Sequence, residues 1–169
     1  MKRFIALIVR LFNDALITTP DGRLLRRSFI NYIFAFGGSI TLACIAGGVV
    51  MLAGISTEAL EVPGVKINSW DFIGAVVFAP VVETLILAAL LTLIRRLSIA
   101  TQAIISAIIW GGLHALIAPF WFFGTVFSFF VFSYAYLVWR KKSFAFGFAA
   151  AALPHSLVNL SAFVITAIF

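Results

Sequence analysis

The fold class this sequence predicts is all-α: a polytopic membrane helix bundle of about five transmembrane helices preceded by an N-terminal interfacial helix. Three observations predict it. The 169-residue chain is 63% hydrophobic and only 11% charged, whereas an ordinary soluble domain is about 25% charged. Its mean hydropathy is +1.16. Its apolar residues gather into long runs flanked by short basic clusters, the arrangement of membrane spans and their collars. No polar stretch is long enough to hold a soluble domain, so one membrane domain is expected over residues 29–169, with residues 1–28 as a separate N-terminal segment.

The elements follow in order. Residues 1–19 place Phe4, Ile5, Ile8, Leu11, Phe12 and Ala15 at helical spacing, with Lys2, Arg3, Arg10 and Asp14 elsewhere on the wheel. That pattern predicts a helix lying on the bilayer surface. Arg10, Asn13 and Asp14 interrupt the apolar stretch, and no small-residue cleavage pattern follows, which argues against a cleaved signal peptide. Asp21-Gly22 is a turn signal, and Arg23, Arg26 and Arg27 form a basic collar. The first span is expected from about Phe29 to Ile55, with Gly37-Gly38 and Gly47-Gly48 permitting close helix contact. Cys44 lies inside this run and is expected to be a small buried packing residue. A lone cysteine excludes both a disulfide framework and a cysteine metal cluster within the chain.

The second span is expected from about Asp71 to Ile94, behind Trp70 as an interfacial anchor, and Arg95-Arg96 closes it. The third runs from about Leu97 to Pro119 and the fourth from Phe120 to Trp139. No charge separates them, but one span needs only about 20 residues, so Pro119 or Gly124 must mark a break. Arg140-Lys141-Lys142 follows, and a fifth span is expected from Ser143 to Phe169. The fourth is crowded with aromatics, among them Trp121, Phe122, Phe129, Phe132 and Tyr136, which suit packing or lipid contact more readily than a substrate wall.

With five spans every Lys and Arg except Lys66 falls on one side of the membrane. The positive-inside rule then makes that side cytoplasmic and turns the C-terminus outward, as expected for an integral protein of a cell (inner) membrane. The net charge of +6 has the same explanation, because the basic residues sit beside apolar runs and form no patch of the kind that binds nucleic acid.

Four polar side chains stand out within the spans. Glu83 is the last acidic residue of the chain and lies twelve residues from both Asp71 and Arg95, about 18 Å from each boundary. An ionisable group at that depth costs at least about 2.5–3.5 kcal/mol and is a functional candidate by default. The two histidines, His114 and His155, both lie in later apolar runs, and Asn159 follows His155 by four residues, one helical turn. By helical rise His155 is about 20 Å from Lys142, close to the depth of Glu83, whereas His114 is about 27 Å from Arg96, nearer the other face. A single site requires helix tilt or a helix that continues past Pro119.

The chemistry of this set suits hydrolysis of an amide bond by activated water. A buried glutamate beside a histidine can take a proton from water and return it to a leaving amine. A second histidine with an amide donor can stabilise the oxyanion. The same Glu83, His114 and His155 also count as a three-ligand zinc set. A metal would consume Glu83 as a ligand and leave no base, so water activation without a cofactor is the preferred reading. A bis-histidine haem on His114 and His155 is a further alternative.

At these residues the sequence resembles the CPBP family, membrane proteins related to the type II CAAX prenyl endopeptidase and to bacteriocin-processing or immunity proteins. The family carries E-E-x-x-x-R, F-x-x-x-H and H-x-x-x-N on successive membrane helices. Here the first appears as Glu83 through Ala88 behind Ala79-Pro80, the second as Trp110 through His114 with tryptophan in place of phenylalanine, and the third is intact as His155 through Asn159. The likeness covers about residues 72–159. It implies an intramembrane endopeptidase in which Glu83 and His114 activate water and His155 and Asn159 hold the oxyanion. Its implied partners are the lipid bilayer and a membrane-associated peptide or protein substrate, lipidated substrates included. Thr84 and Ala88 stand where the family has a second glutamate and an arginine. Their joint absence is that of a lost ion pair, and it keeps open the alternative of a catalytically silent adaptor or immunity-type protein.

Overall fold

The computed structural model describes residues 23–56 and 68–168. The expected interfacial helix over residues 1–19, and Glu58, Glu61 and Lys66 of the first loop, lie outside the described residues. The described residues are all helical apart from turns. They form α1 (Leu24–Leu52), α2 (Ser69–Leu93), α3 (Ile99–Ala115), α4 (Trp121–Arg140) and α5 (Phe144–Ile168). Four of these, α1, α2, α4 and α5, are long and apolar enough to cross a membrane; α3, with 17 residues, is shorter.

The helix ends have local causes. Asn68 caps α2, its Oδ1 accepting from the backbone N–H groups of Trp70 and Asp71 at 2.9 and 3.0 Å. Trp70 is 82% exposed at that end. Ser98 caps α3 by accepting from the Thr101 N–H at 3.2 Å, so α3 begins two residues later than the apolar run suggests. The chain turns at Leu116–Phe120, with Pro119 as the breaker. Gly124, the other candidate, continues inside α4.

The helix α4 is the centre of the bundle and packs against α1, α3 and α5, while α2 lies chiefly against α5. Phe129, Val131, Phe132, Tyr136 and Leu137 of α4 form the core with Leu87, Ala88 and Leu91 of α2, Trp110 of α3, Ala35 of α1 and Ala151 of α5. Much of the aromatic content of α4 is therefore core packing. The outward faces carry large apolar side chains such as Phe29, Ile33, Ile45, Ile86, Leu93, Ile104 and Ile108. In water such a surface would be a liability; against lipid it is the ordinary exterior of an integral membrane protein.

Without a hydrophobic drive between helices in lipid, close packing and polar contacts hold the bundle. Gly38 meets the Phe127 ring so closely that an added Cβ would collide with it. Gly37 and Gly48 face open space, so only part of the glycine pairing serves contact. Hydroxyl pairs bridge the helices: Ser39–Ser128 at 2.7 Å joins α1 to α4, Ser106–Ser133 at 2.8 Å joins α3 to α4, and Tyr32–Ser161 at 2.8 Å joins α1 to α5. Cys44, expected to be buried, is exposed on α1; the helix turns that position away from α4 and α5, so packing does not require it.

The described basic residues gather at one end. Arg140 donates from Nη1 to Thr92 Oγ1 at 3.1 Å, joining the C-terminal ends of α4 and α2. Leu24 packs with Trp139, Ala150 and Phe146, placing the start of α1 at the α4–α5 turn. Arg23, Arg26, Arg27, Arg95, Arg96, Arg140, Lys141 and Lys142 thus share one end of the bundle.

Candidate functional site

The site begins with a proline in α2. Pro80 has no N–H, and in a regular helix its ring would collide with the carbonyl four residues back. The chain answers with a widened π-type turn over Gly74–Phe78. Within it the Ala79 N–H donates to the Gly74 carbonyl, and residue 80 has no donor to give. The Ala75 carbonyl is therefore left without a partner from the next turn. Asn159 of α5 supplies one: its Nδ2 donates to Ala75 O at 2.8 Å.

The same turn sets the register of α2. Positions 75 and 83 are eight residues apart, about 80° off alignment on a regular helix. One extra residue in the wide turn makes them equivalent to seven apart, about two full turns. Ala75 and Glu83 then both face α5. There Asn159 meets Ala75, and His155, one turn earlier on α5, meets Glu83.

The Glu83–His155 contact is 3.7 Å between Oε2 and Nε2. Among the described residues it is the one ion-pair contact of a histidine with a carboxylate. The His155 side chain is 5% exposed and that of Glu83 22%. His155 stacks on Phe132 at 4.7 Å and meets Phe129 edge-on at 5.3 Å. Glu83 Oε2 is buried and has no hydrogen-bond partner, so a buried acceptor stands ready for a donor.

His114 closes the other side. Its Nδ1 lies 2.8 Å from the Trp110 carbonyl. A carbonyl can only accept, so Nδ1 carries the hydrogen, and in the neutral ring Nε2 is a bare acceptor. Trp110, the tryptophan four residues before His114, thus fixes its tautomer through the backbone. The His114 ring also rests on Phe129 at 5.3 Å, so both histidines touch one aromatic ring.

A cavity of about 350 Å³ lies between α2, α3, α4 and α5, with His114, Asn159, Ala75, Trp121, Thr125 and Phe163 in its lining. By helical rise from the basic end, Glu83 and His155 stand at about 15–17 Å and His114 and Asn159 at about 22 Å. The four residues therefore occupy two tiers. Glu83 and His155 touch each other in the lower tier, and His114 and Asn159 share the cavity one turn above. Counted from the observed helix ends, His114 again lies farther from the basic end than Glu83, and Asn159 stands at its level.

Neither metal nor haem fits this arrangement. Among the described residues no three His, Cys, Asp or Glu side chains are grouped to hold a metal ion, so Glu83, His114 and His155 do not make the three-ligand set. A haem would need Nε2 of His155 free over an open face, whereas that atom faces Glu83 and the ring is stacked on Phe132.

Thr84 and Ala88 are 1% and 4% exposed and belong to the packed interior. A charge pair at these positions would have been buried, and small groups fill the space. Sequence reasoning missed the Ala75 carbonyl as a functional contact; Pro80 in mid-span was the signal for it.

Fold and site together define an α-helical integral membrane protein with a buried carboxylate–imidazole pair beneath an intramembrane cavity. Comparison with protein-family models, with characterised proteins and with solved structures gave no match.

Proposed function

We propose that this protein is an intramembrane endopeptidase of the type the CPBP resemblance implies, hydrolysing a peptide bond of a membrane-associated substrate without a covalent nucleophile. The observation that carries the reading is the two-tier arrangement: a buried, unpartnered Glu83 oxygen against His155, one turn below a cavity lined by His114 and Asn159.

In this reaction water attacks the peptide carbonyl carbon, forming a C–O bond as the carbonyl π electrons move to oxygen. Its proton passes to the bare Nε2 of His114 or to Glu83, which together supply the basic sites. Asn159 uses one N–H on Ala75, and its second N–H is available to the oxyanion. The bond to Ala75 fixes the amide plane in advance. His155, which the resemblance would place at the oxyanion with Asn159, has its Nε2 turned to Glu83 at 3.7 Å, so the proposal gives it the task of holding Glu83 and leaves the oxyanion to Asn159. Collapse of the intermediate breaks the C–N bond, and the stored proton goes to the leaving amine.

The proposed topology has five spans, α3 being a short one of about 25 Å. The basic end is cytoplasmic by the positive-inside rule, with the N-terminus inside and the C-terminus outside a cell (inner) membrane. The test is cleavage of single-span peptides by the purified protein in vesicles, followed by mass spectrometry. Glu83→Ala and His114→Ala should each abolish cleavage while the protein still inserts and folds; cleavage that survives both removes the mechanism.

A second reading is a catalytically silent adaptor or immunity-type protein with the same bundle. It is favoured by one observation: Glu83 lies a turn below the cavity and is not among its described lining residues. Full cellular function of both alanine variants would select it.

A further inference from the structure

The cavity does not sit in the middle of the bundle. His114, Asn159 and Thr125 are its deepest polar residues, about 22 Å from the basic end. Trp121 and Ala75 lie at about 27–28 Å and Thr166 at about 33 Å, against a hydrocarbon core of about 30 Å. The cavity therefore belongs to the half of the protein remote from the arginines and lysines.

Its wall is apolar in effect as well as in composition. Trp121, Val158, Ala162 and Phe163 present hydrocarbon and ring surface. The two threonines in it turn their hydroxyls to their own helices: Thr125 Oγ1 donates to Trp121 O at 2.7 Å and Thr166 Oγ1 to Ala162 O at 3.0 Å. None of the described lining residues is Asp, Glu, Lys or Arg. At the base, two polar points remain for a ligand, the His114 Nε2 and the free amide edge of Asn159, with the indole N–H of Trp121 the further side-chain donor of the described lining.

We propose that the cavity binds an uncharged, apolar peptide segment, a few residues long, presented from the membrane face opposite the basic end. A charged side chain would find no opposite charge among the described lining groups, and hydrogen bonds to His114 or Asn159 alone would leave most of its desolvation cost uncompensated. A backbone amide flanked by small apolar side chains matches the two polar points and the apolar wall together, whereas an acyl chain would leave Asn159 unmatched. The volume of about 350 Å³ is at the small end for ligand cavities and limits the segment to a short stretch. Binding stands without the endopeptidase reading, which concerns only the hydrolysis of a bound segment. That reading gains a substrate class: peptide segments exposed at the outer half of the bilayer.

The experiment uses Thr166→Cys, with Ala162→Cys as a second variant, in a full-length Cys44→Ser background expressed in spheroplasts. A membrane-impermeant maleimide should label both positions from outside, and Lys141→Cys only after permeabilisation. A capped Leu-Ala peptide at about ten times its Kd should slow that labelling about tenfold. The same peptide carrying a lysine, or a fatty acid, should not. Labelling of both cavity positions only after permeabilisation, protection by the lysine peptide or the fatty acid, or no protection by the Leu-Ala peptide would overturn the proposal. In a Glu83→Gln version, lost cleavage with protection retained supports both readings. Cleavage retained with protection retained removes hydrolysis by Glu83 and leaves the binding assignment standing.

Discussion

Replacing Asn159 with alanine should destabilise the bundle through a single backbone atom. The Ala75 carbonyl has no donor from its own helix, because the Ala79 N–H is bonded to Gly74 O and residue 80 is proline. Asn159 Nδ2 is the group that meets it, at 2.8 Å. An interhelical hydrogen bond in a membrane protein contributes about 0.6 kcal/mol on average and up to about 1.7. Here its loss also leaves an acceptor unsatisfied between α2 and α5, which costs about 1–3 kcal/mol. That penalty already includes the lost bond, so the expected cost is about 1–3 kcal/mol. A double-mutant cycle with Pro80→Ala isolates the cause, because the alanine restores an N–H at position 80 within reach of the Ala75 carbonyl. Asn159→Ala should then be about 1 kcal/mol or more cheaper in the Pro80→Ala background than in the native one. Equilibrium unfolding in mixed micelles, followed by circular dichroism, reads all four corners. If the cost of Asn159→Ala is the same in both backgrounds to within about 0.5 kcal/mol, the orphan-carbonyl argument is refuted.

Other expectations rest on different contacts. Gly147 packs on the Arg140 backbone, where an added Cβ would meet the N and Cα atoms at 3.0 Å; Gly147→Ala should cost about 1–3 kcal/mol of unfolding free energy. Gly48 meets nothing, and Gly48→Ala should stabilise α1 by about 0.5–1 kcal/mol in the same assay. Ser133→Val removes the fully buried partner of Ser106 and should cost about 0.6–1.7 kcal/mol, with no change in labelling at the cavity.

Much of this architecture was legible in the sequence for simple reasons. Apolar length fixed where the helices run, and the basic clusters and Pro119 fixed where they stop. Helical rise alone put His155 at the depth of Glu83, and the structure brings the two within 3.7 Å, a contact the sequence reading, which set Glu83 beside His114, did not name. The three motif segments fall on α2, α3 and α5 as expected. What sequence could not supply was lateral order. Nothing in the composition of α4 distinguishes a central helix from a lipid-facing one, since phenylalanine serves both, and only packing reveals that Phe129 and Phe132 are core. The π turn was equally hidden: Pro80 signals a disturbed helix, but whether it kinks, breaks or widens depends on the donor that α5 brings. Cys44 was misplaced because an apolar run in a membrane helix carries no period to show which face is inward.

Whether Glu83 is the base is read from the rate at which purified protein in vesicles cleaves a single-span apolar peptide, compared between the native chain and Glu83→Gln. The glutamine keeps the size of the side chain and its place beside His155 while removing the proton-accepting carboxylate. The native protein should cleave the peptide, and the variant should be about 100-fold or more slower, with unchanged helical content. Cleavage by Glu83→Gln at the native rate would contradict that role for Glu83.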